Sequence, residues 1–579
     1  MNKRSGPVHV ATTRRTYGGK VYETHLLRRS YREGGKVKNE TVGNVSHLPP
    51  EIIAMIRRAL KKESLVNPES AFEITESFPC GDSQAVLLAM ERLNLRELLG
   101  SRRSRKADIV LGLIAARVLS PQTKLATCRG WSGRTFSLDL GIADADEDEC
   151  YEAMDWLLTR QGAIEKRLAA RHLSCGSLAL YDLSSSYFEG THCPLAKLGY
   201  NRDGKRHKLQ VNYGLLTDRR GCPVAVSVYP GNVGDAKTLL PQVVKLKEAF
   251  GLEAVTLVGD RGMIGQAHID TLRETAGVSW ITALKSGQIR ALMNAGAIQM
   301  DLFDERNLFC LTSPEYPGER LIACRNPELG RLRTHKRLSL LEATELELVK
   351  VQKSVADGRL RGADQIGVRV GKVLNKFKVA KHFILEIEER GVSWARNEAA
   401  IAEEAALDGI YVIRSSVEAM EAAETVRHYK GLAEVERAFR SLKTVDLKIR
   451  PIHHRLEHRV KAHILLCMLA YYVEWHLREA WRPLCFGDED QAAKRSRDPV
   501  APTKRSPAAE AKVRSRTLPD NTPVHSFRTL LEALSRQVRN VCRATNDSAS
   551  FTLTTQPDAT QRRALELVQT ISLTAQHEA

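Results

Sequence analysis

The sequence has no Cys-x-x-Cys pair, no His-Glu-x-x-His motif and no Gly-x4-Gly-Lys-Ser/Thr loop. Its eleven cysteines are scattered and odd in number, which argues against a disulfide framework and a zinc ribbon and suits a reducing compartment. Without a phosphate-cradling loop, a nucleotide-driven mechanism has no support, and no nucleotide cofactor is expected. The first residues, MNKRSGPVHVATTRRTYGG, contain no apolar signal core. The longest strongly apolar stretch, residues 462–475, is interrupted by Glu474 and is too short to span a bilayer. These absences lead us to expect a cytoplasmic protein with no membrane partner.

What is present is a chain of 579 residues, 43% hydrophobic and 27% charged, enough for roughly three to five compact units. Lys and Arg number 87 against 69 Asp and Glu, a net charge of +18. A balance this basic favours an anionic partner, nucleic acid first among them.

Patterning divides the chain into six segments. Residues 1–50 alternate apolar and polar around Gly18-Gly19 and Gly34-Gly35, which predicts a basic N-terminal β-hairpin region. Residues 51–172 show helical spacing of apolar residues, in runs such as 85–99 and 108–119, and predict an all-α region suited to DNA binding. Residues 173–270 turn to short apolar strands with one amphipathic helix, a mixed α/β layout. Residues 271–415 mix strands with a charged helical run and are expected to form an inserted, mainly β domain. Residues 416–485 form a long helical zone. Residues 486–579 begin with prolines among Lys/Arg clusters and predict a disordered basic linker followed by a C-terminal helix.

Three acidic residues stand out. Asp182 lies inside the apolar strand Leu178-Ala-Leu-Tyr-Asp-Leu, on the face of Leu178 and Leu180, where a carboxylate costs stability. A water-facing strand-end cap or an Asx-turn with the following serines would also account for it. Asp260 ends the apolar strand Val255-Thr-Leu-Val-Gly-Asp, and carboxyl ends of strands are where sites collect in open α/β sheets. An ordinary loop aspartate is the plainer alternative. Glu436 lies on a helix whose apolar stripe is Val435, Ala438, Phe439 and Leu442. At about 100° per residue, Tyr429, Glu436, Arg440 and Lys443 share a flank of that helix. An exposed amphipathic helix with a Glu436–Arg440 pair would give the same pattern. Among other candidates, Asp235 reads as a cap for the helix near Lys237. Glu189 lies close to the first motif, and His454-x3-His458, near His453 and His463, has the spacing of metal ligands on a helix.

Taken together, Tyr-Asp182-Leu-Ser-Ser-Ser, Gly-Asp260-Arg-Gly-Met and the Tyr429…Glu436…Lys443 helix resemble the DDE transposases of bacterial insertion sequences. The branch in question carries a Tyr-x2-Arg-x3-Glu-x6-Lys signature. Tyr429, Glu436 and Lys443 fit that spacing, Leu432 stands at the Arg position, and Arg440 is a candidate to supply the missing charge. Pro230-Gly-Asn-Val-Gly-Asp and Asp408-Gly-Ile-Tyr-Val-Ile-Arg are similar to the same branch. The resemblance covers most of residues 1–480.

The resemblance implies an RNase H-like catalytic core interrupted by the insertion, with Asp182, Asp260 and Glu436 as catalytic metal ligands. Gathered carboxylates cannot all stay ionised without cations, and oxygen ligands suit a hard ion, so two Mg²⁺ or Mn²⁺ ions are expected. Tyr429, Lys443, Arg440 and Arg261 would contact DNA. The implied activity is endonucleolytic cleavage at terminal inverted repeats and strand transfer into target double-stranded DNA, by a homodimer assembled on DNA and associated with the nucleoid. A hydrolysis-only nuclease or a domesticated DNA-binding regulator are the alternatives.

Overall fold

The structure, a computed structural model, describes residues 5–63, 71–100, 102–205, 207–501, 504–545 and 549–573, without the side chains of 300 and 493–495. The chain forms two compact units: 1–78 with 538–555, and 79–537 with 556–579.

In the first unit, β1 (Val8–Tyr17), β2 (Lys20–Glu33) and β3 (Lys36–Asn44) form an antiparallel meander. Its two connections are two-residue turns, and all four turn residues are glycines at positive φ, as tight hairpin turns demand. The helix Pro50–Leu60 follows. A second sheet combines β4 (Phe72–Pro79) with a hairpin from late in the chain, β15 (Val538–Ala544) and β16 (Ser550–Thr554), in the order β16-β15-β4. The region expected to be all-α from residue 51 therefore contains a strand, because β4 has pairing partners more than four hundred residues away, beyond the reach of local periodicity.

The second unit is built on an eight-stranded sheet. Its strands are β5 (Leu178–Tyr187), β6 (Gln210–Asp218), β7 (Pro223–Pro230), β8 (Val255–Val258), β9 (Val278–Ala283), β10 (Leu308–Leu311), β11 (Arg320–Arg325) and β14 (Ile410–Ser415). The order is β10-β11-β14-β9-β8-β5-β6-β7. β5, β8 and β9 are parallel, with Leu180 opposite Val258 and Val258 opposite Ile281, and all other neighbours are antiparallel. The helix Glu457–Ala480 is buried almost without interruption from Val460 to Leu477. A helix apolar on every side belongs at the centre of a large core, which accounts for the hydrophobic run at 462–475. Among the described residues no helix is long and apolar enough to cross a membrane.

The segment expected to be a mainly β insertion is different. Four of its strands, β9, β10, β11 and β14, join the main sheet. What projects from that sheet is largely helical: Pro327–Ala356 and Ala363–Phe377, together with a small hairpin of β12 (Phe383–Ile387) and β13 (Val392–Arg396). This excursion has its own apolar cluster, including Leu341, Leu348, Val351, Ile366, Val370 and Phe383. A thirty-residue helix outweighs a hairpin of two five-residue strands.

The expected disordered linker is also corrected. Asp488 accepts hydrogen bonds from the Ser506 hydroxyl (2.6 Å) and backbone N–H (2.9 Å) and pairs with Arg497. Val500, Ala509 and Leu518 are buried. Pro507 occupies the first turn of the helix Pro507–Ser515, and the Ser506 side chain caps that helix, so this proline starts structure.

Candidate active site

Asp182 sits midway along β5, half-buried, opposite Leu215 of β6. Its Oδ1 accepts the N–H of Leu183 at 2.8 Å. Burial pushes its carboxyl up to about 7; the Leu183 bond and the Arg202 charge pull it down, and the charges of Asp260 and Glu436 push it further up. Asp260 and Glu436 are thus both near enough to bear on Asp182. Asp260 follows β8 by two residues, exposed, in a turn where its carbonyl accepts the N–H groups of Met263 (2.9 Å) and Ile264 (3.1 Å). It leaves the sheet at the carboxyl end of a strand parallel to β5.

Glu436 is exposed on the helix Leu432–Arg440, while Val435, Ala438 and Phe439 are buried. Phe439 meets Tyr213 of β6 edge-on, with centroids 5.8 Å apart. A side chain on Gly431, just before this helix, would lie 3.6 Å from Leu180 of β5. One on Gly221, in the β6–β7 turn, would lie 2.7 Å from the Glu434 side chain. The missing side chain at Gly221 lets the helix approach the β6–β7 turn, and the charge of Glu436 on its polar flank bears on Asp182.

Tyr429 donates its hydroxyl to Asp260 Oδ1 at 3.3 Å, so its first contact is with a carboxylate of the site. Burial and the Asp260 charge keep that hydroxyl protonated well above the usual range. Arg261 and Arg440 are exposed. A cleft of about 290 Å³ opens beside Asp260 and Arg261, and Tyr411, Tyr429, Arg333 and Ser286 contribute to its walls.

Lys443 lies apart from the other flank residues. The helix widens into a π turn at Ser441–Val445, which rotates later residues away from the phase set by Glu436. Lys443 Nζ lies 3.2 Å from Asp203 Oδ1, with Arg450 on the same carboxylate, and only 11% of the Lys443 side chain is exposed. Asp203 also accepts the Tyr187 backbone N–H at 3.1 Å. The outward reach to phosphate expected from the sequence is replaced by an internal counter-charge. Lys443→Ala is accordingly expected to lower the melting temperature, by about 1–2 kcal/mol of stability, because Arg450 still neutralises Asp203. The salt slope of DNA binding should not change, and a melting scan beside a salt titration checks both.

Sequence reasoning missed Arg202. It pairs with Asp235 and bears electrostatically on Asp182. Asp235 is no helix cap: Gly234 holds the cap position, and the aspartate side chain goes to Arg202. Asn201-Arg202-Asp203-Gly204 reads as a turn and gives no hint of this role. Glu189 pairs with Lys208. His454 precedes the helix that begins at Glu457, so His454 and His458 lack helical i,i+4 geometry; His458 faces Asp155 and His463 faces the Ile449 carbonyl.

A raised acidic group has a defined consequence for stability. Because folding lifts the Asp182 carboxyl from its usual 3.8 to about 7, its contribution to stability is fully present below the unfolded value and is lost as pH rises through 7. In chelator, Asp182→Asn should therefore melt above the parent at pH 8, by on the order of 2 kcal/mol after allowing for partial exposure. The difference should close as pH falls toward about 4. Melting curves of both proteins across this range provide the check.

Two family models match the chain. Residues 188–473 match the transposase DDE domain, and residues 10–71 match the N-terminal domain of IS1634 family transposases. The first match begins just after Asp182 and includes Asp260 and Glu436. The chain belongs to the DDE transposases of insertion sequences, a family whose enzymes depend on divalent metal. Among solved structures, a piggyBac transposase synaptic complex with hairpin DNA is similar at 9% identity and a TM-score of 0.32, over 78% of this chain and 76% of that one; a likeness that low carries no argument. A search of curated proteins gives no match.

Proposed function

We propose that this transposase cuts double-stranded DNA at the terminal inverted repeats of its element and joins the freed ends to target DNA, using Asp182, Asp260 and Glu436 on an RNase H-like core. The observation that carries this reading is that Asp260 at the end of β8 and Glu436 on the helix Leu432–Arg440 both bear electrostatically on Asp182 of β5. The strand order supports the fold: β7-β6-β5 is an antiparallel run, and β8 and β9 continue it parallel to β5.

The donor set fits a hard divalent cation. All three groups offer oxygen, and Arg202, a cation that lowers the Asp182 carboxyl, is already paired with Asp235. Asp182, Asp260 and Glu436 would hold two Mg²⁺ or Mn²⁺ ions, which supply neutralising charge and polarise the attacking and leaving oxygens of a phosphodiester. Tyr429 fixes the rotamer of Asp260 through its hydroxyl, and the Leu183 N–H does the same for Asp182. Arg261 and Arg440 lie exposed near these groups and can grip backbone phosphates. In the first step water attacks phosphorus and the bond to the 3′ oxygen breaks, leaving a 3′-hydroxyl at the element end. In the second that hydroxyl attacks another phosphodiester and displaces its 3′ oxygen, with no covalent protein intermediate. The basic meander at 1–50 and the helical region at 51–172 would also bind DNA, in a homodimer assembled on DNA in the bacterial cytoplasm.

The test is a plasmid carrying the sequences that flank the reading frame, incubated with the protein in Mg²⁺. Joined products with short target duplications are expected. Random nicks without joining would reduce the activity to hydrolysis, and intact DNA would leave a binding protein.

A further inference from the structure

Outside the carboxylate site, three side chains converge that no step of transposition uses. His172 ends the helix Gln161–His172, Cys222 lies in the β6–β7 turn, and His476 lies on the helix Glu457–Ala480. Their ligand atoms all fall within 4.8 Å of one another. Cys222 Sγ is 3.9 Å from Nε2 of His172 and 3.9 Å from Nε2 of His476. The thiol is completely buried, and only 7% of the His172 side chain is exposed. Nδ1 of His172 faces Asp218 Oδ2 at 3.9 Å, an arrangement that directs Nε2 toward the cysteine.

We propose that His172, Cys222 and His476 form a structural binding site for a borderline-soft transition ion of the zinc class. Zinc bonds of about 2.3 Å to sulfur and 2.0–2.1 Å to nitrogen, set tetrahedrally, hold sulfur and nitrogen about 3.6 Å apart, so a contraction of a few tenths of an ångström brings the sulfur to ligand spacing from both imidazoles. Two imidazoles and one thiolate exclude Mg²⁺, which takes oxygen ligands, and separate this site chemically from the carboxylates. Binding releases the Cys222 proton to solvent. Asp218, 3.9 Å from His172 Nδ1, would hold the metal-bound imidazole in one tautomer on closing to hydrogen-bond distance. Its second duty is to neutralise Arg220, at 2.9 Å. Tyr472 lies 3.1 Å from His172 Nε2 and gives up that hydrogen bond when the nitrogen ligates metal.

The site clamps what stands behind the glutamate helix. Gly221, next to Cys222, lies against Glu434, and Glu474, two residues before His476, accepts the Ser441 hydroxyl at 2.6 Å at the far end of that helix. A bound ion would tie both supports together.

Cobalt(II) reports the site directly. The full chain, stripped by chelation and held in excess Mg²⁺, is titrated with Co²⁺. One equivalent should produce visible ligand-field bands and a near-ultraviolet thiolate-to-cobalt band, both lost on adding one equivalent of Zn²⁺. The thiolate band should persist in Cys175→Ser and Cys310→Ser, the variants of the exposed cysteines, and vanish in Cys222→Ser. Asp218→Asn should weaken Zn²⁺ binding about 10- to 100-fold. Absence of a thiolate band in the parent protein, or its survival in Cys222→Ser, overturns the proposal. Should Cys222→Ser not fold, zinc-edge absorption on the parent decides: one sulfur with two imidazoles supports the site, and a shell of oxygen and nitrogen alone rejects it.

Discussion

Changing Asp182 or Asp260 to Asn, or Glu436 to Gln, is expected to reduce strand cleavage about 10³-fold or more while DNA binding holds or tightens. Each change preserves shape and removes one negative charge. That charge is needed to hold divalent metal, and it repels the phosphate backbone in the absence of metal. Catalysis and affinity should therefore move in opposite directions. The gain in affinity should be smallest for Asp182, because its burial and its two acidic neighbours already disfavour the charged form. A gel-shift titration beside a cleavage time course in Mg²⁺ measures both quantities on one preparation. Retained cleavage in any of the three variants would remove that residue from the site. Loss of binding together with cleavage would indicate damage to the fold.

The largest stability effect is expected from Glu319→Ala. Glu319 is buried, with none of its side chain exposed, and it bridges Arg414 of β14 and Arg273 of the helix Gln266–Glu274; the Arg273 contact is 2.7 Å. Arg414 is itself buried, and its guanidinium also reaches Gln266 at 3.2 Å. Removing the carboxylate strands a buried guanidinium and should cost about 3–5 kcal/mol. Replacing the acid and Arg414 together by apolar residues of similar size should cost much less, since such a swap removes both charges at once. Urea unfolding of the single and double variants tests this; equal losses in the two would mean that packing dominates.

How far the sequence discloses this protein depends on the range of the interaction concerned. Asp182 and Asp260 are visible because each interrupts or ends an apolar strand, a local contrast that needs no knowledge of neighbours. The flank of Glu436 follows from 3.6-residue periodicity, and the burial of Val435, Ala438 and Phe439 agrees with it. The same periodicity misleads at Lys443, because a π turn is a change in backbone hydrogen bonding that side-chain pattern does not encode. Pairing between distant segments is equally hidden. β10, β11 and β14 look like strands of a separate domain, yet they hydrogen-bond onto the edge of the main sheet. The proline-rich stretch after residue 488 looks disordered by composition; a half-buried carboxylate and a serine cap organise it instead. Arg202 and the His172–Cys222–His476 cluster arise wholly from tertiary proximity and have no linear trace.

The long excursion between β9 and the glutamate helix bears on when the enzyme can become active. Asp182 and Asp260 emerge early in synthesis, whereas the helix with Glu436 follows only after β10, β11, two long helices and β14 have been made. Contacts this distant along the chain form late and slowly, since loop closure must precede their reward. With the proposed site, a growing polypeptide would expose the basic N-terminal segments and two of the three carboxylates well before the third is made. Cutting would be deferred until Glu436 has been made and folded, and a prematurely terminated product would occupy DNA without breaking it, in competition with the finished enzyme.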